Sequence, residues 1–138
     1  MREFKFRIWD TSTNSMHYTV QVGCDDITVP TIWSNRRKEW LHVERSNAKI
    51  MQYTGMKDSN GNEIYEGDIV TYKVKGSKQI YKTIMEFNKE HGAFLFGIYE
   101  GVIMPCGKKT RTNKYTRKSV NSVEVIGNIF EGEGIKNE

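Results

Sequence analysis

Residues 54–75 read TGMKDSNGNEIYEGDIVTYKVK and join a run of turn formers to a strand-like run. Residues 54–68 are dense in turn formers, and Asn60-Gly61 favours a tight turn because both residue types tolerate positive φ. Val70, Tyr72 and Val74 then alternate with Thr and Lys, which is the pattern of a strand with one buried face. The stretch therefore predicts a connection that leads from one half of the chain into a β-rich second half.

The same alternation recurs along most of the chain, and no window of helical length carries an apolar stripe at helical spacing. Phe4, Phe6 and Ile8 alternate with cations and are followed by turn formers at residues 10–15. The other predicted strands are residues 16–22, 27–33, 39–43, 79–88, 93–99 and 123–130. We therefore expect a mostly β protein, either all-β or β-dominated α+β.

Length and composition favour a single domain. A chain of 138 residues is close to the commonest domain size. Its apolar fraction of 37% is lean, but 16 aromatic residues (three Trp, seven Tyr and six Phe) bury large areas and can build the core. Cys24 and Cys106 are far apart and have no metal-ligand spacing, so we expect two thiols rather than a disulfide framework.

The N-terminus does not resemble a targeting segment. Charges alternate with aromatic residues over residues 1–6, where a signal peptide would need an uninterrupted apolar stretch. No window approaches the ~20 apolar residues of a membrane-spanning helix. We expect a cytoplasmic protein that has no membrane partner.

The positive charge is concentrated in residues 108–118, while the other residues carry 15 Lys and Arg against 17 Asp and Glu. Cations interleaved with one tyrosine can follow a phosphate backbone and stack a base, but the same composition fits a solvated loop. Residues 36–38 between Trp33 and Trp40 repeat this pattern more weakly. The candidate nucleic-acid-binding residues of the basic segment are Lys108, Lys109, Arg111, Lys114, Tyr115, Arg117 and Lys118.

No catalytic or metal-binding signature is present in the sequence. Glu63, Glu66 and Asp68 could hold Mg²⁺ for phosphodiester hydrolysis, but in a turn before a strand such acids commonly bond to backbone amides or face solvent. The three histidines, His17, His42 and His91, are scattered without a carboxylate or cysteine at a ligand or triad spacing. Phosphate-binding loops and nucleophile motifs are also missing. We expect a protein that is not an enzyme and needs no cofactor.

Three segments together resemble the YopX family of bacteriophage and prophage proteins. They are residues 5–10 (KFRIWD), the middle block of residues 51–70, in which MQYTGMKD is followed by GNEIYEGDIV, and residues 125–131 (VIGNIFE). The middle block is the specific one because of its length and preserved spacing. The resemblance implies a phage or prophage protein in the cytoplasm of a bacterial host, and the family has no assigned activity.

The middle block also has a direct structural interpretation. Gly55, Gly61 and Gly67 occupy positions that suit positive φ or close backbone approach, and Asp68 can bond to neighbouring amides. Residues 66–70 look like the beginning of the first strand of an SH3-like barrel. This likeness concerns the fold and assigns no function.

These observations predict one architecture and two functions. Residues 1–138 form a single domain, in which an N-terminal β portion (1–54) packs on a small C-terminal SH3-like barrel (62–131) and residues 132–138 fray. The first predicted function is a non-catalytic protein-interaction or self-assembly module, which binds a second copy or a host or phage protein. The alternative is a nucleic-acid-binding accessory protein that uses residues 108–118.

Overall fold

The computed structural model describes residues 3–23, 29–74, 78, 80–89, 93–96 and 120–134, and these are all strands, turns and loops. The predicted mostly β class is confirmed. No helix occurs in the described ranges, so they contain no helix that could span a membrane. The strands are β1 (Phe6–Asp10), β2 (Ser15–His17), β3 (Val20–Gln21), β4 (Thr31–Ser34), β5 (Glu39–His42), β6 (Ala48–Lys57), β7 (Glu63–Tyr65), β8 (Asp68–Val74), β9 (Ile80–Asn88), β10 (Ala93–Phe96), β11 (Val120–Asn128) and β12 (Gly132–Glu133).

The chain divides into two compact units, Met1–Tyr53 and Thr54–Glu138. In the first unit β1 pairs antiparallel with β2 and with the beginning of β6, from Phe6 opposite Gln52 to Asp10 opposite Ala48. A separate antiparallel sheet has the order β3-β4-β5. The core of this unit consists of buried aliphatic side chains and the half-buried ones packed against them: Ile8, Ile32, Val43, Val20, Val22, Leu41 and Ala48.

The second unit is built on a curled five-stranded sheet with the order β10-β9-β8-β11-β12. Strict alternation on β8 directs Val70 and Tyr72 inward, where Tyr72 stacks on Tyr81 with ring centroids 5.4 Å apart. The remaining core side chains of this unit are Ile64, Met85, Val123 and Val125. The closure of this sheet into an SH3-like barrel, and the packing of the N-terminal portion on it, stay predictions.

Several predicted segments differ from the structure. Residues 54–68, predicted as a connection, contain the end of β6 and the whole of β7, and neither strand was predicted. Residues 16–22, predicted as one strand, form β2 and β3 in different sheets, because the chain bends at Tyr18 and Thr19 and Val20 pairs with Ile32. Residues 132–138 were predicted to fray, but Gly132–Glu133 forms a short strand that pairs with Gly127 and Asn128 of β11. Backbone hydrogen bonds hold this short strand, so the low apolar content of the tail did not reveal it.

Candidate functional site

The exposed side of the second-unit sheet carries two large apolar side chains on one strand, β9. On β9, Tyr81 and Met85 point to the core, so the alternate residues point away from it. Ile80 is 60% exposed and Ile84 is 39% exposed. We call this surface the outer face, and its residues are Ile69, Thr71 and Lys73 of β8, Ile80, Lys82, Ile84 and Glu86 of β9, and Glu124 of β11.

The outer face alternates apolar and charged rows. Ile84 lies opposite Ile69, so the two isoleucines form one apolar row across β9 and β8. In the next row Lys82 lies opposite Thr71, and Thr71 lies opposite Glu124 of β11. Lys82 Nζ reaches Glu133 Oε1 of β12 at 2.5 Å. The face therefore presents isoleucines flanked by charges of both signs.

A second exposed surface lies on the β4–β5 hairpin of the first unit. Ile32 and Leu41 are cross-strand partners that belong to the core, so the neighbouring pair Trp33 and Trp40 occupies the opposite side. The two indole rings meet edge to face, with centroids 5.5 Å apart and planes 69° apart. Trp40 remains 40% exposed. Trp33 Nε1 donates to Asn35 Oδ1 at 3.1 Å, which fixes the orientation of that ring.

The turn of this hairpin is a cluster of cations. Residues 35–38 form the turn, and the Lys38 amide donates to Ser34 O at 2.8 Å. Arg36, Arg37 and Lys38 are all exposed. Arg37 Nε lies 3.4 Å from Glu39 Oε1, and among the described residues no carboxylate pairs with Arg36 or Lys38. We call Trp33, Trp40 and residues 35–38 the aromatic–basic hairpin.

The residues singled out in the middle block occupy turns and a buried strand end. Gly55, Gly61 and Gly67 have φ of 86°, 85° and 81°, the left-handed region that suits glycine. Asp68 is fully buried, and its Oδ2 accepts a hydrogen bond from the Tyr65 amide at 2.7 Å. These positions shape the turns around β7.

The sequence did not single out Asp58, although it makes the densest hydrogen bonding of the block. Its Oδ1 accepts from the amides of Asn60 (2.9 Å) and Asn62 (2.8 Å), and its Oδ2 accepts from Asn62 Nδ2 (3.2 Å) and the Val125 amide (3.0 Å). Burial acts to raise the pKa of Asp58, but these hydrogen bonds outweigh it and the pKa lies below its ordinary value. The Asp-x-Asn-Gly order, which suits an Asx turn, was the available signal.

Glu63 and His17, like Asp68, have identifiable hydrogen-bond partners. Glu63 Oε2 accepts a hydrogen bond from the Tyr65 hydroxyl at 2.8 Å. His17 Nε2 lies 2.8 Å from Ser15 Oγ, but the Asp10 carboxylate is bonded to the amide and hydroxyl of Ser12, so a Ser-His-Asp relay is not assembled there. Burial lowers the pKa of His17, and the negative charge of Asp10 acts to raise it by a smaller amount. Nowhere in the described ranges do three His, Cys, Asp or Glu side chains group to hold a metal ion.

The basic segment of residues 108–118 lies outside the described residues, as do Cys24, Cys106 and His91. Its assignment to nucleic-acid binding stays a prediction. The structure instead places the weaker aromatic and basic pattern, residues 33–40, on one exposed hairpin.

One family model matches most of this chain. Residues 5–133 match the family described as YopX protein. The crystal structure of protein EF1440 from Enterococcus faecalis is similar over 94% of this chain and 95% of that chain, with 26% sequence identity and a TM-score of 0.60. No curated protein is similar enough to be counted as a relative.

Proposed function

The chain belongs to the YopX family, and we propose that it works as a non-catalytic protein that assembles with a second copy of itself through the outer face. The observation that carries the proposal is the exposure of Ile80 and Ile84 on the open side of a five-stranded sheet. Ile84 and its cross-strand partner Ile69 form one apolar patch, and Ile80 forms a second one beyond Lys82. Exposed apolar patches on a folded protein commonly mark an interaction site. Family membership supports a phage or prophage origin and a place in the cytoplasm of a bacterial host.

The pattern of β9 favours a copy of the same chain as the partner. Ile84 has Lys82 two residues before it and Glu86 two residues after it. In a two-fold contact whose axis passes Ile84 and is perpendicular to β9, the β9 strands run antiparallel and Lys82 of each copy faces Glu86 of the other. The outer face is thus self-complementary in charge, which gives register to an otherwise plain apolar contact.

The expected association is weak. Ile80 and Ile84 together expose about the surface of one isoleucine, and burying it contributes roughly 1.5–3 kcal/mol per copy. Two copies double this gain, whereas association costs at least about 4 kcal/mol in lost freedom. The apolar gain of roughly 3–6 kcal/mol is no more than comparable to this cost, so the dimer also depends on the paired charges of Lys82 and Glu86, and we expect it only at high concentration.

Sedimentation velocity over a wide concentration range tests this proposal. The parent should shift from monomer to dimer, and Ile84→Glu or Ile80→Glu should stay monomeric because each buries four unpaired carboxylate oxygens per dimer. Ile50→Glu is the matched control, since Ile50 is 44% exposed on β6 in the first unit. A parent that is monomeric throughout would point to a host or phage protein as partner and overturn self-assembly. Dimerisation lost only in the control would overturn the choice of surface.

A further inference from the structure

The aromatic–basic hairpin exposes part of the Trp40 indole to solvent. An edge-to-face pair covers only part of the two indole rings, and 40% of Trp40 stays open. The Asn35 bond to Trp33 and the strand pairing of both tryptophans hold the rings in place before any ligand arrives. A rigid, exposed aromatic side chain is the element on which proteins stack unpaired bases.

The cations lie close to these rings. Trp33 is two residues before the turn and Trp40 two residues after it, so the strand rise puts the turn on the order of 7 Å from the ring pair. Glu39 offsets one of the three charges through Arg37, and Arg36 and Lys38 remain for a ligand. The tip therefore combines stacking surface with a local excess of positive charge.

Polar side chains extend the same face away from the tip. Thr31 and His42 are cross-strand partners, one row beyond the tryptophans, and Gln21 of β3 lies opposite Thr31. Thr31 Oγ1 donates to Gln21 Oε1 at 3.3 Å, and both His42 and Gln21 are exposed. These groups can donate to or accept from the edge of a base that is stacked on the indoles.

We infer that the aromatic–basic hairpin, together with the neighbouring Thr31 and His42, is a binding site for single-stranded nucleic acid. In this site Trp40 stacks a base, and Arg36 and Lys38 contact phosphates. The bases of a duplex are stacked on one another, so a bound duplex would contact the cations but would not stack on the indole rings. An acidic peptide would likewise use the charges without the stacking surface. The site lies in the first unit and does not depend on the proposed assembly through the outer face.

Fluorescence anisotropy with a labelled 12-nucleotide oligothymidine, titrated at several salt concentrations, tests the inference. The parent should bind the single strand in preference to a duplex of equal length. Trp40→Ala should weaken single-strand binding by about 5-fold to 100-fold, and Trp40→Phe should retain most of it because a ring remains. Since Trp40→Ala removes an indole contact, its melting curve is measured beside that of Trp40→Phe.

The cations are tested by a double variant, Arg36→Gln with Lys38→Gln. It should flatten the slope of log affinity against log salt by about 1.4, because each lost single-strand phosphate contact accounts for about 0.7. The matched control is Lys49→Gln with Lys57→Gln, which removes the same charge from exposed positions on β6 and should leave the slope near that of the parent.

Several results would overturn the inference. They are an absence of binding at low salt, equal or tighter binding of the duplex, full binding by Trp40→Ala, and displacement of the oligonucleotide by polyglutamate at equal charge. Loss of binding in a Lys108→Gln, Lys109→Gln, Arg111→Gln variant, with both hairpin variants unaffected, would assign binding to the basic segment instead.

Discussion

At the scale of single residues, Asp58 fastens the turn after β6 to strand β11. Its carboxylate bonds to Asn60 and Asn62 within the turn and to the Val125 amide 67 residues away along the chain. Ser59 repeats the link, because its amide donates to Val123 O at 2.9 Å and its hydroxyl accepts from the Val123 amide at 3.2 Å. The middle block is therefore tied to the core strand of its own unit by side chains of its turn.

Replacing Asp58 by Asn should destabilise the second unit by about 2–4 kcal/mol at pH 7, because the Val125 amide loses a charged acceptor in a buried place. The folded pKa of Asp58 is lowered, so its carboxylate stabilises the fold above its ordinary pKa of 3.8. That contribution is lost as pH falls through the lower folded pKa. Urea unfolding from pH 7 down to about pH 2 should show the parent and Asp58→Asn converging in stability at the acid end. Glu124→Gln, which replaces an exposed acid on β11, is the control. If Asp58→Asn lowers stability by the same amount at every pH, the charge of Asp58 does not stabilise the fold.

At the scale of strands, Gly127 permits the closest backbone approach in the second unit. A Cβ at this position would lie 1.9 Å from Gly132 O and 2.7 Å from Glu133 Cα. Strand β12 can therefore pair with β11 only because residue 127 has no side chain. The Lys82 to Glu133 ion pair depends on the same placement of β12.

Gly127→Ala should push β12 away from β11 and lower stability by about 1–3 kcal/mol, the usual cost of forced overpacking. Thermal melting and amide hydrogen exchange of residues 129–134 measure the two effects. Glu124→Ala, at an exposed position of the same strand β11, is the control, because Gly132→Ala would itself strain a backbone with φ of 87°. If Gly127→Ala melts and exchanges like the parent, the close approach is not a constraint.

Much of the strand content follows from the sequence, whereas strand partners do not. Residues 69–74 alternate over most of their length, so β8 was predicted closely. The strands over residues 80–88 and 39–42 were predicted with small errors at the ends, although both contain adjacent apolar residues. β6 was missed because the adjacent Ile50 and Met51 break the alternation, and β7 was missed because Glu63, Ile64 and Tyr65 lie among turn formers. The two strands pair with each other in the folded sheet. The split of residues 16–22 also depends on partners, because Val20 packs in a core that only the folded unit assembles.

At the scale of the whole chain, the sequence indicated charge but not open surface. The clustered cations and tryptophans at residues 33–40 were visible, since composition alone marks them. The exposure of Ile80 and Ile84 could not be predicted from the sequence. A strand with apolar residues on both faces reads the same whether its second face meets solvent or another layer. Sequence alternation gives the two faces of a strand, and only the fold decides which of them stays uncovered.

In the proposed dimer, two copies meet through their outer faces with Ile84 on the two-fold axis. Exchanging the charges that flank Ile84 tests this contact. Lys82→Glu and Glu86→Lys should each weaken the dimer roughly tenfold or more in sedimentation equilibrium, because like charges then face each other twice. The double variant should restore dimerisation. Loss of the exposed Lys82 to Glu133 pair is a minor side effect, at most about 1 kcal/mol. Two single variants that dimerise like the parent, or a double variant that stays as weak as the singles, would contradict the claim.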